Sequence, residues 1–327
     1  MKKLIYLFLT VLIVACSGED NNNDNNSNDE DNNDGDNTVL TCSGDNPVYL
    51  ADNGVTIKAC DFANVGDTGV INGITYTVVD EAMLREMVEN EQDVTKLATT
   101  KVTDMKLMFY ENSTFNQPIG NWDVSNVTNM AYMFRDNSPT GSTFNQPIGN
   151  WDVSNVTDMK FMFSNSTFNQ PIGNWDVSNV TNMDDLFYNS TFNQPIGNWD
   201  VSNVTNMAYM FRGSTFNQPI GNWDVSNVTN MGSMFTIATS FNQPIGNWDV
   251  SNVTYTSGMF SGTSFNQPIG DWDVSNVTNM AYMFADATSY NQDLSSWSVD
   301  GVTQCLQFSD DTTSWTLPQP NFTNCTP

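Results

Sequence analysis

The sequence predicts a repeat solenoid of the leucine-rich-repeat-like type, with a short parallel strand and a short helix in each coil of about 24 residues, preceded by a small β-rich cap. Two observations carry this. Tryptophan recurs at Trp122, Trp151, Trp175, Trp199, Trp223, Trp248, Trp272 and Trp297, and each marks a nearly identical copy of the string FNQPIGNWDVSNVTNMAYMF that runs from Phe115 to Phe134. A unit this short cannot bury its own apolar residues, so consecutive units must stack and cover one another.

Within a unit, Trp122 and Val124 alternate with Asp123 and Ser125, the period of a strand with one face inward. Val127, Met130, Met133 and Phe134 then fall at the three-and-four spacing of a helical turn, with Thr128 or Asn129 placed to cap it. The return segment Phe115 to Gly120 holds a proline that cannot donate to a ladder and a glycine that permits a bend, and it reads as a corner.

In chain order, residues 1–15 read as a signal peptide: Lys2 and Lys3, the apolar run LIYLFLTVLIVA, and small Ala15 before Cys16. Residues 16–37 follow as a lipidated Cys16 and a tether of Asn, Asp, Ser, Glu and Gly that has nothing to bury. Residues 38–101 read as a capping module. Two hairpins surround Asn53-Gly54 and Asn72-Gly73, and a helix over Glu81 to Glu91 carries Met83, Leu84, Met87 and Val88 on one face. The solenoid occupies residues 102–308, with one longer insertion whose Pro139 and Gly141 signal a surface loop. Thr256 stands where a core methionine is expected, which predicts a weaker local core. Residues 309–327 form a small terminal cap that folds over a worn final coil through Trp315 and Cys325.

Setting Cys16 aside leaves Cys42, Cys60, Cys305 and Cys325. Four cysteines allow three pairings, and local pairing at each end is the simplest. Each bridge would contribute roughly 3 kcal/mol in the chain-entropy model.

The formal charge is −27, with 37 acidic residues, 10 basic residues and no histidine, which argues against a nucleic-acid partner because phosphate contacts need clustered Lys and Arg. Past Leu107 the only basic residues are Arg135, Lys160 and Arg212. The tryptophans and methionines read as interior columns, not as a ligand ladder or cofactor box. The Asp after each tryptophan, from Asp123 to Asp273, reads as a partner for turn backbone. Calcium is conceivable there, but one carboxylate per coil falls short of the six to eight oxygens it wants. No metal, cofactor or catalytic residue is assigned, and identical units offer no place where two carboxyl groups would differ enough for acid–base work. What does vary lies between the methionines, where Tyr132, Phe161, Tyr209 and Tyr282 would line one edge as aromatic anchors for a partner.

The repeat string, FNQPIGNWDVSNVTNM followed by two variable residues and MF, resembles the repeats of BspA-like leucine-rich-repeat surface proteins, and IVAC at Ile13 to Cys16 resembles a bacterial lipobox. The resemblance implies an outer-membrane lipoprotein exposed at the cell surface that adheres to proteins and brings no catalytic residues. A lipid-anchored binding scaffold for a protein or other surface ligand is therefore the expected function. A spacer or coat without a specific ligand is the alternative, as is a carbohydrate-binding component, which would need exposed tryptophan faces.

Overall fold

The computed structural model describes residue 42 and residues 44–327. The signal peptide, Cys16 and the acidic tether lie outside them. Among the described residues no helix is long and apolar enough to cross a membrane.

The N-terminal module holds two hairpins and one helix. Strands β1 (Val48–Leu50) and β2 (Ile57–Ala59) pair antiparallel, as do β3 (Thr68–Ile71) and β4 (Ile74–Val78). Asn72 and Gly73 both take positive φ between β3 and β4, as a tight two-residue turn requires. Helix α1 (Glu81–Glu89) starts at Asp80, whose carboxylate accepts from the Met83 N–H, and it buries Leu84. A short β5 (Leu97–Ala98) pairs parallel to β4 and carries the chain into the solenoid, an element too short to leave a periodic signal.

Nine successive coils are joined by single-residue parallel bridges, from Asp104 and Asn129 through Asp158, Asn182, Asn206, Asn230, Tyr255 and Asn279 to Gln304. This corrects the expected position of the strand. Past Trp122 the Trp-Asp-Val segment carries no such bridge, and the pairing falls just before the first methionine instead. The expected helix is absent as well, since α1 is the only α-helix among the described residues.

Hydrogen bonds between coils explain why. The Met130, Tyr132 and Phe134 N–H groups donate to the Asp158, Lys160 and Met162 carbonyls of the next coil, while Met133 and Arg135 N–H close turns onto Met130 and Tyr132 within the coil. Alternate amides thus point along the stack, and none is left for an i−4 partner. Tyr132 at φ 61° breaks the helical path, and Asn129 Oδ1 accepts from Ala131 N–H as a turn former, not as a helix cap. Two consecutive turns bury Met130, Met133 and Phe134 together, which is how they reproduce the three-and-four spacing of a helix.

The core is a set of stacked columns. The eight repeat tryptophans are 0–5 % exposed, so the indole faces that a carbohydrate-binding reading requires are buried. From Trp151 to Trp297 each indole N–H donates to the isoleucine carbonyl one coil back, as Trp199 does to Ile172 at 3.1 Å, while Trp122 donates to the Val94 carbonyl. Phenylalanines pair face to face within a coil, for example Phe134 with Phe144 at 4.0 Å. Where Thr256 replaces methionine, its hydroxyl reaches the Asn279 carbonyl and Met283 Sδ, and the Tyr255 ring lies over Gly232, where any Cβ would collide with it.

Cys42 is bonded to Cys60, and Cys305 to Cys325. The tail closes the last coil. Trp315 packs edge-on against Tyr290 and Phe284, and its indole donates to the Gln292 carbonyl.

Candidate functional site

The variable edge is built by the turns just described. In each coil the second residue between the two core side chains takes a left-handed backbone conformation: Leu107, Tyr132, Phe161, Asp185, Tyr209, Ser233, Gly258, Tyr282 and Gln307, all with φ between 51° and 67°. At the first position of the pair Ala131, Ala208 and Ala281 are buried, whereas Lys160, Asp184 and Ser257 are half-buried and Lys106 and Leu306 exposed, so in the coils of Tyr132, Tyr209 and Tyr282 it is the second position that is available to a partner. Of the four expected anchors, Tyr132, Phe161 and Tyr209 are half-buried and Tyr282 is 41 % exposed.

They do not form one row. Tyr132 and Phe161 stack at 4.7 Å with planes 8° apart, and Tyr110 meets Tyr132 edge-on at 6.4 Å. Tyr209 is separated from them by the coil of Asp185, and Tyr282 stands apart beyond Ser233 and Gly258. All three basic residues past Leu107 join this edge. The Arg135 guanidinium lies 4.5 Å from the Phe161 ring and 5.5 Å from that of Tyr132. Lys160 Nζ is 5.9 Å from Tyr132 and 3.6 Å from Asp158. Arg212 lies 5.7 Å from Tyr209 and 5.8 Å from Tyr188. Each such contact contributes on the order of 0.5 to 1 kcal/mol. The signal was present in the sequence, because Arg135 and Arg212 each follow the last phenylalanine of a coil whose edge residue is a tyrosine.

Between the two aromatic groups sits Asp185, only 8 % exposed. Burial pushes its carboxyl up to about 7, the Asp184 carboxylate adds to this, and Arg135 and Arg212 oppose it. Asp184 is also raised, mainly by burial, with Asp158 adding and Lys160 opposing. A raised acid binds a proton in the folded state that the unfolded chain has released, so the contribution of Asp185 to stability falls as pH climbs from about 4 to about 7 and is level on either side. Asp185→Asn is expected to remove most of that slope and to raise stability at pH 8 by on the order of 3 kcal/mol after allowance for solvent screening. Denaturant melts of both proteins at pH 5 and pH 8 check this. Parallel pH dependence in the two would show the slope to come from elsewhere.

The Asp row behaves differently. Asp152, Asp176, Asp200 and Asp224 each accept from both the N–H and the hydroxyl of the serine two residues on. Those bonds hold Asp200, and likewise Asp249 and Asp273, below the usual carboxylate range. The first member is special: Asp123 is covered by the N-terminal module, with Lys58 Nζ at 3.7 Å. Among the described residues no group of three His, Cys, Asp or Glu side chains gathers around one point.

A family model described as "Mycoplasma protein of unknown function, DUF285" matches residues 80–191, 165–264 and 245–324. No curated protein and no solved structure matches the chain.

Proposed function

We propose a function for a chain that belongs to the DUF285 family, a repeat family matched three times in tandem: a lipid-anchored scaffold that displays its solenoid at the cell surface and grips a protein partner by the aromatic edge. One observation carries the reading. Tyr132, Phe161, Tyr209 and Tyr282 hold bulky side chains in left-handed backbone, where a residue other than glycine costs roughly 1 to 2 kcal/mol. Gly258 occupies the same place in one coil, so folding does not ask for an aromatic there. Backbone strain of this kind persists where a side chain is wanted for contact. Half-exposed rings backed by guanidinium groups are suited to anchoring a partner.

The likeness of the repeat string to BspA-like surface proteins and of Ile13 to Cys16 to a lipobox supports the anchored, surface-displayed part of the reading. Cys16→Ala is expected to move the protein from the membrane pellet to the soluble fraction. Unchanged pelleting would end the anchor.

The edge is tested by replacing Tyr132, Phe161, Tyr209 and Tyr282 together with Gly. Melting is expected to be unchanged or slightly raised, while retention on an array of cell-surface and matrix proteins falls. Full retention by the four-site variant would favour the spacer or coat reading, which the near-identity of the coils supports.

A further inference from the structure

We infer that the open edge of the first coil is a docking groove for an extended, Lys- or Arg-bearing peptide of a protein partner, which pairs with it as an added strand. This site adjoins the aromatic edge at Tyr110 but includes none of Tyr132, Phe161, Tyr209 and Tyr282. In the second coil the carbonyls of Asn129, Ala131, Met133 and Arg135 accept from the Met105, Leu107, Phe109 and Glu111 N–H groups one coil earlier. The matching carbonyls of the first coil are those of Asp104, Lys106, Met108 and Tyr110. Arg85, on α1, donates from Nη2 to Asp104 and Lys106 at 3.3 and 3.0 Å and so ends the ladder there. Met108 and Tyr110 carbonyls receive no donor among the described residues.

Further along the same coil the sense of the bonding reverses. Thr143 N–H donates to the Ser113 carbonyl and Asn145 N–H to Asn116 Oδ1, yet one coil earlier neither Thr114 nor Asn116 N–H has an acceptor among the described residues. The edge thus offers two acceptors and then two donors, as the exposed side of a sheet does to an incoming strand. Met108, Tyr110 and Thr114 line a cavity of about 470 Å³ between α1 and this edge, together with Arg85, Val88, Glu89 and Glu91 among others, and Asn116 lines the adjoining one. A second cavity of about 300 Å³ shares Val88, Glu91, Asn112 and Thr114 with the first.

Charge selects the occupant. Glu89, Glu91 and Glu111 border the groove, and Arg85, the one base lining it among the described residues, is already paired with Glu81 at 2.9 Å. A second copy would bring the complementary open edge of its last coil, where the Gln307, Ser309 and Asp311 N–H groups have no acceptor among the described residues. That edge carries Asp310 and Asp311 toward three glutamates, and residues 17–37 of this chain are acidic too. A basic strand meets neither objection.

The experiment uses the full chain and a fluorescein-labelled octapeptide of alternating Lys and Thr. Binding is expected to weaken about tenfold when alternate amides are N-methylated in one register and to be spared in the other, since only one edge of a strand pairs. The analogue with Glu for Lys should not bind. Glu89→Gln, Glu91→Gln and Glu111→Gln together should weaken binding and flatten its dependence on salt. No binding of the Lys peptide, equal binding of the Glu analogue, or indifference to N-methylation in both registers would each overturn the inference. So would binding that appears only after residues 17–37 are deleted, because the groove would then belong to the chain's own acidic segment.

Discussion

Trp199→Ala is expected to lower stability by about 3 to 5 kcal/mol and to divide one melting transition into two. Trp199 is 4 % exposed, lies 6.4 Å from Phe187, and donates its indole N–H to the Ile172 carbonyl. The alanine variant loses the packing of a large side chain, opens a void between two coils and removes one of the two hydrogen bonds that the Ile172 carbonyl accepts, the other coming from the Trp175 N–H. In a stacked array each coil holds only its neighbours, so damage at one level uncouples the two halves instead of weakening the whole evenly. The control is Tyr209→Ala in the same unit, where a half-buried ring is lost from a strained backbone position and the net change should be small. Denaturant melts followed separately by tryptophan emission and by far-ultraviolet dichroism would show the split. An equal loss in the two variants would mean that the inner and outer faces of the coil are exchanged.

That contrast was readable from the residues, and it shows which part of the fold a repeat sequence exposes. Period, columns and inner face follow from counting, because every coil repeats the same apolar positions, and Trp199, Val201 and Phe211 lie inside as expected. Conformation within the coil did not follow. Met130, Met133 and Phe134 have the spacing of a helix, but the Met130 and Phe134 amides are consumed by the neighbouring coil, and that is a property of the stack. A single unit cannot reveal whether its N–H groups bond to itself or to its copies. The left-handed edge was hidden for the same reason: Tyr and Phe have no propensity for positive φ, and only Gly258 and Asp185 in the equivalent places hint at it. At the N-terminal module the local signals were sufficient, since Asn72-Gly73 fixes its turn and Asp80 its helix start without help from distant residues.

Gly197→Ala is the second large effect, and its sign is informative. Gly197 does not adopt a left-handed conformation, so alanine would ordinarily stabilise the chain by about 0.4 to 1 kcal/mol through the unfolded state. Here the expected change is a loss of about 3 kcal/mol, at the upper end of what overpacking costs. An added Cβ would sit 2.6 Å from the Pro219 carbonyl oxygen of the next coil. That atom is backbone and cannot rotate away, so the two coils must part at this corner. The same approach recurs at Gly149 against Pro171, Gly173 against Pro195 and Gly221 against Pro244, which accounts for the constant Pro-Ile-Gly in the repeat by close contact, not by a turn that needs glycine. Gly213 supplies the comparison. It is left-handed at φ 67°, its nearest neighbours are side-chain atoms at 3.6 Å, and alanine there should cost only about 1 kcal/mol. Adding Pro219→Ala to Gly197→Ala should recover nothing, because the obstructing oxygen remains. Thermal melts of the four proteins distinguish the cases: a neutral or stabilising Gly197→Ala, or rescue by Pro219→Ala, would show that the corner is held by the proline ring and not by the approach of one backbone to the next.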